Sequence, residues 1–520
     1  MRIERTKNAA KGITAGLLLR ILQTVLPFLM RTAMIRLMGV EYLGLNGLFT
    51  SILHILNLAE LGVGAAMVFS MYRPIAEDDE TTICALMRLY RRYYRLIGLV
   101  VGAMGLALMP VLPKLISGEI PPELDIYVLY LLNLGSTVLT YWLFAYKNCL
   151  LQAHQRTDVA SLITMLTSLV QTVLQFAVLF LTRNYYWYVI VAMATQALNN
   201  VCTAAVATKM YPRYRPEGKL SRAQTRAING RIRDLFTGKL GSVVLSSSDT
   251  VVISAFLGLA VLAVYQNYFF IVTSVISVIE IMLQSVMAGL GNSFITEVKE
   301  KNYRDFRKFT FIYLWLVGVC TCCFLGLYQP FMKIWVGEEL MLGFSAVICF
   351  AVYFFLCALN RLLNIYKDAA GLWHEDRFRP LVTSLTNLAL NLLCVRRLGI
   401  YGVLLSTVVS MVVVGMPWVL HNVFTLFFDR KQLKAYVCQI LGHVLATVAA
   451  GLAVCMLCSL VSVNLWANLG LCAVISATVP NVVFLLLLRR SSQFEPGIQF
   501  VDRLTKGKLA LERRLLRRQK

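Results

Sequence analysis

Two arginines, Arg20 and Arg31, lie eleven residues apart in a run from 12 to 37 that is otherwise largely apolar. That spacing is close to three helical turns, so both guanidinium groups share one face, roughly 16 Å apart along the axis. A guanidinium is a planar fork of donors that stays charged at any physiological pH and meets phosphate or carboxylate oxygens in pairs. Such a face suits an anionic ligand, or it is resolved by snorkelling and structural pairing. The next apolar run aligns Asn46, Asn57 and Glu60 in one sector, where Glu60 is placed either to pair with a helix-one arginine or to titrate. Asp249 follows Ser246, Ser247 and Ser248, and Arg361 is flanked by Asn360 and Asn364, so Asp249 and Arg361 are expected partners. Glu280 with Gln284, Gln171 with Gln175, and Asn387 with Asn391 are i, i+4 pairs, which hydrogen bonds between helices explain. Arg20, Arg31, Arg361, Asn46 and Asn57 are therefore the candidate ligand-binding residues. Glu60, Asp249 and Glu280 are the candidates for charge pairing or ion coupling. His54, His421 and His443 are isolated from one another, and no catalytic residue, metal site or cofactor is expected.

The elements that position these groups must lie in lipid. The chain has 520 residues, 58% hydrophobic and 15% charged, with a mean hydropathy of +0.68, whereas soluble domains carry roughly 25% charged residues. A spanning helix needs about 20 mainly apolar residues. Stretches of that length give about fourteen: 12–37, 44–70, 94–117, 125–150, 158–182, 185–208, 237–257, 261–290, 310–330, 340–366, 378–395, 399–428, 436–461 and 464–488. They are continuous rather than alternating, so the fold class is all-α integral membrane and not a barrel. The formal net charge of +23 suggests nucleic acid, but the basic residues are one-sided. Of 50 Lys and Arg, 41 fall in the termini and alternate connections, while the opposite connections hold Lys114, Arg183, Lys333, Arg396 and Arg397. Both termini are therefore expected in the cytoplasm, with the basic tail on anionic membrane lipids and no nucleic-acid partner. The 13 cysteines fall almost entirely within the apolar runs and act as small apolar residues. The first apolar run is too long to be a cleaved signal.

An internal similarity recurs at an offset of about 220 residues. Tyr146-Lys147 followed by His154-Gln155-Arg156 is echoed by Tyr366-Lys367 followed by His374-Glu375-Asp376-Arg377; Gln171 answers to Asn391, Arg20 to Lys239 and Gly39 to Gly258. Helices one to six and seven to twelve are then parallel six-helix lobes, as in transporters built from parallel repeats. The expected divisions are an N-terminal lobe at 1–208, a basic cytoplasmic linker at 209–236, a C-terminal lobe at 237–428, two extra C-terminal helices at 429–488 and a basic cytoplasmic tail at 489–520.

The run RTAMIRLMGVEYLGLNGLFTSILHILNLAELGVGAAMVFSMYRPIAEDD from Arg31 to Asp79 resembles the first hairpin and following loop of bacterial polysaccharide-export flippases. YKDAAGLWHEDRFRPLVTSLTNLALN from Tyr366 and GIYGVLLSTVVS from Gly399 resemble their second half. These flippases belong to the multidrug/oligosaccharidyl-lipid/polysaccharide exporter superfamily. The resemblance implies translocation of an undecaprenyl-pyrophosphate-linked oligosaccharide from the cytoplasmic to the outer leaflet of the bacterial plasma membrane, by alternating access. It further implies that Arg20, Arg31 and, less directly, Arg361 meet the pyrophosphate. Proton or sodium coupling and polysaccharide-assembly proteins are the partners such an activity admits. A cation-coupled drug exporter of the same superfamily is the alternative, although helix one favours anions. A membrane polymerase or glycosyltransferase fits less well: the longest outer connection, about 113–125, carries few candidate groups and no Asp-x-Asp motif occurs. The protein is accordingly expected not to be an enzyme.

Overall fold

The computed structural model describes residues 5–60, 62–118, 120–461 and 463–504; for some helical residues, Lys239 and Ser246 among them, only the backbone is described. The Lys239 side chain and the tail beyond 504 thus lie outside the described residues. In chain order come α1 (Arg5–Leu37), α2 (Val40–Leu56), α3 (Val63–Ala76), α4 (Glu80–Leu108), α5 (Ile126–Trp142), α6 (Asn148–Ala153), α7 (Thr157–Leu181) and α8 (Tyr185–Met210). Next are α9 (Arg222–Leu257), α10 (Leu259–Thr296), α11 (Lys299–Trp335), α12 (Phe344–Ala369), α13 (Trp373–Asp376) and α14 (Arg379–Leu398). They are followed by α15 (Ile400–Ser410), α16 (Met416–Asn422), α17 (Arg430–Ser459), α18 (Leu465–Leu488) and α19 (Phe494–Leu504). Helix accounts for 87% of the structure, with no strand among the described residues.

Among the described residues, 11 helices are long and apolar enough to cross a membrane, and α5 with the turn and helix 145–153, bent by 46°, makes a twelfth. Two of the fourteen expected spans differ. The 44–70 segment is split, because α2 runs into a 3-10 turn at Asn57–Glu60 and Gly62, at φ 89°, starts α3 afresh. The 237–257 segment is the second half of α9, whose first half begins within the expected linker at a capping box, Ser221 with Gln224. The bend after α5 sits at Phe144, a non-glycine residue in the left-handed region at φ 58°. Gly39 and Gly258, matched in the repeat, break successive helices at φ 123° and 92°, values that a side chain tolerates poorly.

The described chain forms two compact units. One comprises the residues up to Gln266 with Asn391–Ile400; the other comprises Asn267–Leu390 with the residues from Tyr401 onward. In the first, α1 packs on α7, α7 on α8, α2 on α9 and α4 on α5. In the second, α11 is the centre, flanked by α12, α17 and α18. Its core joins Phe311, Cys322, Ala446, Ala450, Val454 and Phe484, and Trp315 Nε1 donates to Asn481 Oδ1 at 2.8 Å. A side chain at Gly318 would strike Phe484 and Thr447, so glycine lets α11 approach the two C-terminal helices closely. Phe494 and Ile498 of α19 complete this core, so the expected tail begins as a docked helix.

Asp79 caps α4, accepting from the hydroxyl of Thr82 at 2.5 Å, the amide of Thr82 at 3.0 Å and the hydroxyl of Thr81 at 2.7 Å. These donors hold its carboxyl down to about 2, below the usual range near 3.9. A depressed carboxylate contributes stability that is present above the unfolded value and lost as pH falls through the folded one. Asp79→Ala should therefore lower the melting temperature of the detergent-solubilised protein at neutral pH. The difference from wild type should close between about pH 4 and pH 2; a constant offset across that window would contradict the assignment.

Candidate functional site

Glu60 sits at the end of the 3-10 turn that interrupts the second membrane segment, and both of its oxygens are occupied. Tyr94 Oη donates to Oε1 at 2.6 Å and Tyr141 Oη to Oε2 at 3.0 Å. Tyr90, one turn before Tyr94 on α4, donates to the Tyr94 hydroxyl at 2.6 Å, extending the chain of donors. Tyr141 is also 3.0 Å from Asn57 Oδ1, so its single proton is shared between the amide and the carboxylate. All three tyrosines are buried. The arginine partner expected for Glu60 is thus replaced: among the described residues its bonded partners are hydroxyls, not cations. The physical reason is local, since α4 and the end of α5 bring their rings within reach of the turn, as the 5.5 Å Tyr94–Tyr141 contact records.

Asn46, eleven residues before Asn57, holds the other end of the same stripe and accepts from Tyr185 Oη at 3.4 Å. Tyr185 stacks on Tyr188 at 5.6 Å and meets Tyr42 edge-on at 5.5 Å. Arg31 is half-buried and close enough to Tyr188 to interact electrostatically. Arg31 and Asn46 therefore border one buried cluster of tyrosines contributed by α2 and α8. Arg20 lies on an exposed face of α1, where its carbonyl accepts from Thr24.

In the second unit, Arg361 of α12 pairs with Glu280 of α10 at 2.6 Å, so the expected Asp249–Arg361 pairing gives way to a closer carboxylate. Asp249 instead accepts from Asn391 Nδ2 at 2.6 Å, within the first unit. One turn beyond Arg361, Asn364 accepts from Arg379 at 2.6 Å. Arg379 grips Asp376 through two bonds, at 2.6 and 2.8 Å, and Lys367 adds a third contact to Asp376 at 3.1 Å. This network closes the turn between α12 and α14, and Asn422 of α16 approaches the same carboxylate at 3.5 Å. The matching turn of the first half is closed by Arg156 and Asp158, again through two bonds, at 2.9 and 3.1 Å. The repeated residues marked these turns in the sequence; the tyrosines around Glu60 and Arg31 carried no such mark, because a tyrosine in an apolar run reads as packing.

A carboxylate held by hydroxyls behaves differently from one held by a cation when neutralised. Glu60→Gln keeps one acceptor for Tyr94 and should cost no more than about 1 kcal/mol, whereas Tyr94→Phe leaves a half-buried carboxylate short of a donor and should cost about 1.5–3 kcal/mol. Thermal unfolding of purified variants checks this; severe loss in Glu60→Gln with little change in Tyr94→Phe would point to an ionic partner.

The sequence pattern of a family described as polysaccharide biosynthesis protein matches residues 9–288, more than half of the chain. No curated protein matches. Among solved structures, the chain is similar to the lipid II flippase MurJ in an inward closed conformation, with a TM-score of 0.69, 13% identity and coverage of 92% of this chain and 98% of that one. It is also similar to an inward-facing multidrug resistance MATE family transporter of the MOP superfamily, with a TM-score of 0.61, 16% identity and coverage of 82% and 98%. At these identities the likeness shows the fold. That fold is of the MurJ and MATE kind, and the chain, a multi-pass membrane protein, belongs to the polysaccharide biosynthesis protein family.

Proposed function

We propose that this protein is a flippase that moves an undecaprenyl-pyrophosphate-linked oligosaccharide from the cytoplasmic to the outer leaflet of a bacterial plasma membrane. The observation that carries this reading is the placement of Arg20, Arg31 and Arg361 inside helices that span the membrane. A cation at mid-bilayer costs about 2.5–3.5 kcal/mol on insertion scales, and an anionic cargo offsets that cost. The tyrosine cluster beside Arg31 places aromatic rings and hydroxyls next to the cation, chemistry suited to a phosphate with a sugar attached once the site opens. A groove of about 330 Å³ lined by α11, α12 and α17, from Thr321 and Leu325 to Phe355 and Leu452, is almost wholly apolar and suits a prenyl chain. The lobes proposed to alternate access are 1–208 and 237–428, joined by the basic segment 209–236, with the helices of 429–488 attached and both termini in the cytoplasm.

A cation-coupled exporter is the second reading, favoured by Glu60: a carboxylate held by hydroxyls alone has capacity for a proton, a sodium ion or a cationic substrate. Within the flippase reading the same group is the candidate for ion coupling.

Two measurements test these proposals. In proteoliposomes presenting the lipid-linked oligosaccharide, Arg20→Ala with Arg31→Ala should reduce flipping at least about tenfold, and Arg→Lys should fall between, because lysine cannot reproduce the planar paired contact. Full activity of the double variant at normal abundance would overturn the pyrophosphate assignment. For orientation, a cysteine replacing Glu217 should resist impermeant labelling from outside intact cells and react after lysis; labelling from outside would reverse the proposed topology.

A further inference from the structure

Two arginine–carboxylate pairs of the second unit differ in construction. Asp376 and Arg379 are sealed, with side chains 3% and 7% exposed, and meet through two parallel bonds with Lys367 and Asn364 filling the remaining positions. That is a permanent structural pair. Arg361 and Glu280 are joined by a contact between Nη1 and Oε1 at 2.6 Å, and their side chains are 43% and 33% exposed. Most of the Arg361 fork is left for other acceptors, and a ligand can reach it.

We propose that Glu280 is the built-in counter-ion of the empty transporter, occupying Arg361 until the diphosphate of the cargo displaces it. The proposal rests on the anionic-cargo reading above. An arginine inside a membrane needs a compensating anion in every state of a transport cycle, including the return step after the cargo has left. A fixed carboxylate on the neighbouring helix supplies it. A diphosphate carries more charge than a carboxylate and matches the guanidinium fork in pairs, so it outcompetes a single-bonded glutamate. Glu280 thereby lowers affinity for cargo and favours release and resetting.

The test uses the purified full-length protein and farnesyl pyrophosphate as the probe. Glu280→Gln should bind it about tenfold more tightly than wild type, because no competing anion must be displaced, while turnover in proteoliposomes falls. Glu280→Asp, which shortens the reach but keeps the charge, should move both readouts in the same direction by less. Arg361→Gln with Glu280→Gln removes both charges and should retain the fold but bind weakly. Should Glu280→Gln fail to fold, the aspartate variant and the double variant carry the comparison. Unchanged or weaker binding by Glu280→Gln and Glu280→Asp, alongside loss of binding on removing Arg361, would overturn the counter-ion role and leave the anionic-cargo reading standing. Absence of binding to wild type and every variant would overturn both.

Discussion

Inside hydrocarbon there is no water to complete a polar group's bonds, and every arrangement described above answers that constraint. The backbone answers it by being helical almost throughout. The side chains answer it in distinct ways. Hydroxyls surround Glu60, an amide meets Asp249, a sealed network holds Asp376 and Arg379, and one carboxylate reaches Arg361. The sealed network stabilises a turn. Arg361 and Glu280, by contrast, meet through one contact and stay partly exposed, and charge so placed in a membrane protein is where ligands and ions act.

The fold and the site belong to one argument. The 3-10 turn at Asn57–Glu60 meets α4 and the end of α5, whose tyrosines gather around a single carboxylate. The packing of α11, α12 and α17 leaves an apolar groove along the helix that carries Arg361. The MurJ and MATE likeness shows the fold, and the matching family is one of polysaccharide biosynthesis proteins. The step from there to a lipid-linked cargo rests on the arginines and the apolar groove.

Much of this was legible in the chain. Apolar run lengths located the spans, and a repeat of about 220 residues picked out one member of each turn-closing ion pair, Arg156 and Asp376, and the paired glycines Gly39 and Gly258. Arg31, Glu60, Glu280 and Arg361 stood out because charge in an apolar run is costly. Their partners did not stand out. Helical periodicity states which face a residue occupies but not which helix that face meets, so Glu280 and Arg361, 81 positions apart, were each visible while their pairing was not. Tyr94 and Tyr141 escaped for a different reason: their rings satisfy the apolar pattern and conceal the donors. The bend at Phe144 had no glycine or proline to announce it.

Between α15 and α16 the helix widens to i+5 bonding over Met411–Gly415, and it widens again over Val423–Phe427. Each wide turn holds one residue more than an α-helix would, and such bulges recur at functional sites. The surplus residue rotates the helix beyond it by about 100° relative to an unbroken α-helix. Asn422, which leans on Asp376, stands between the two. The two wide turns thus set which side chains α16 presents, a register that an unbroken α-helix would not give.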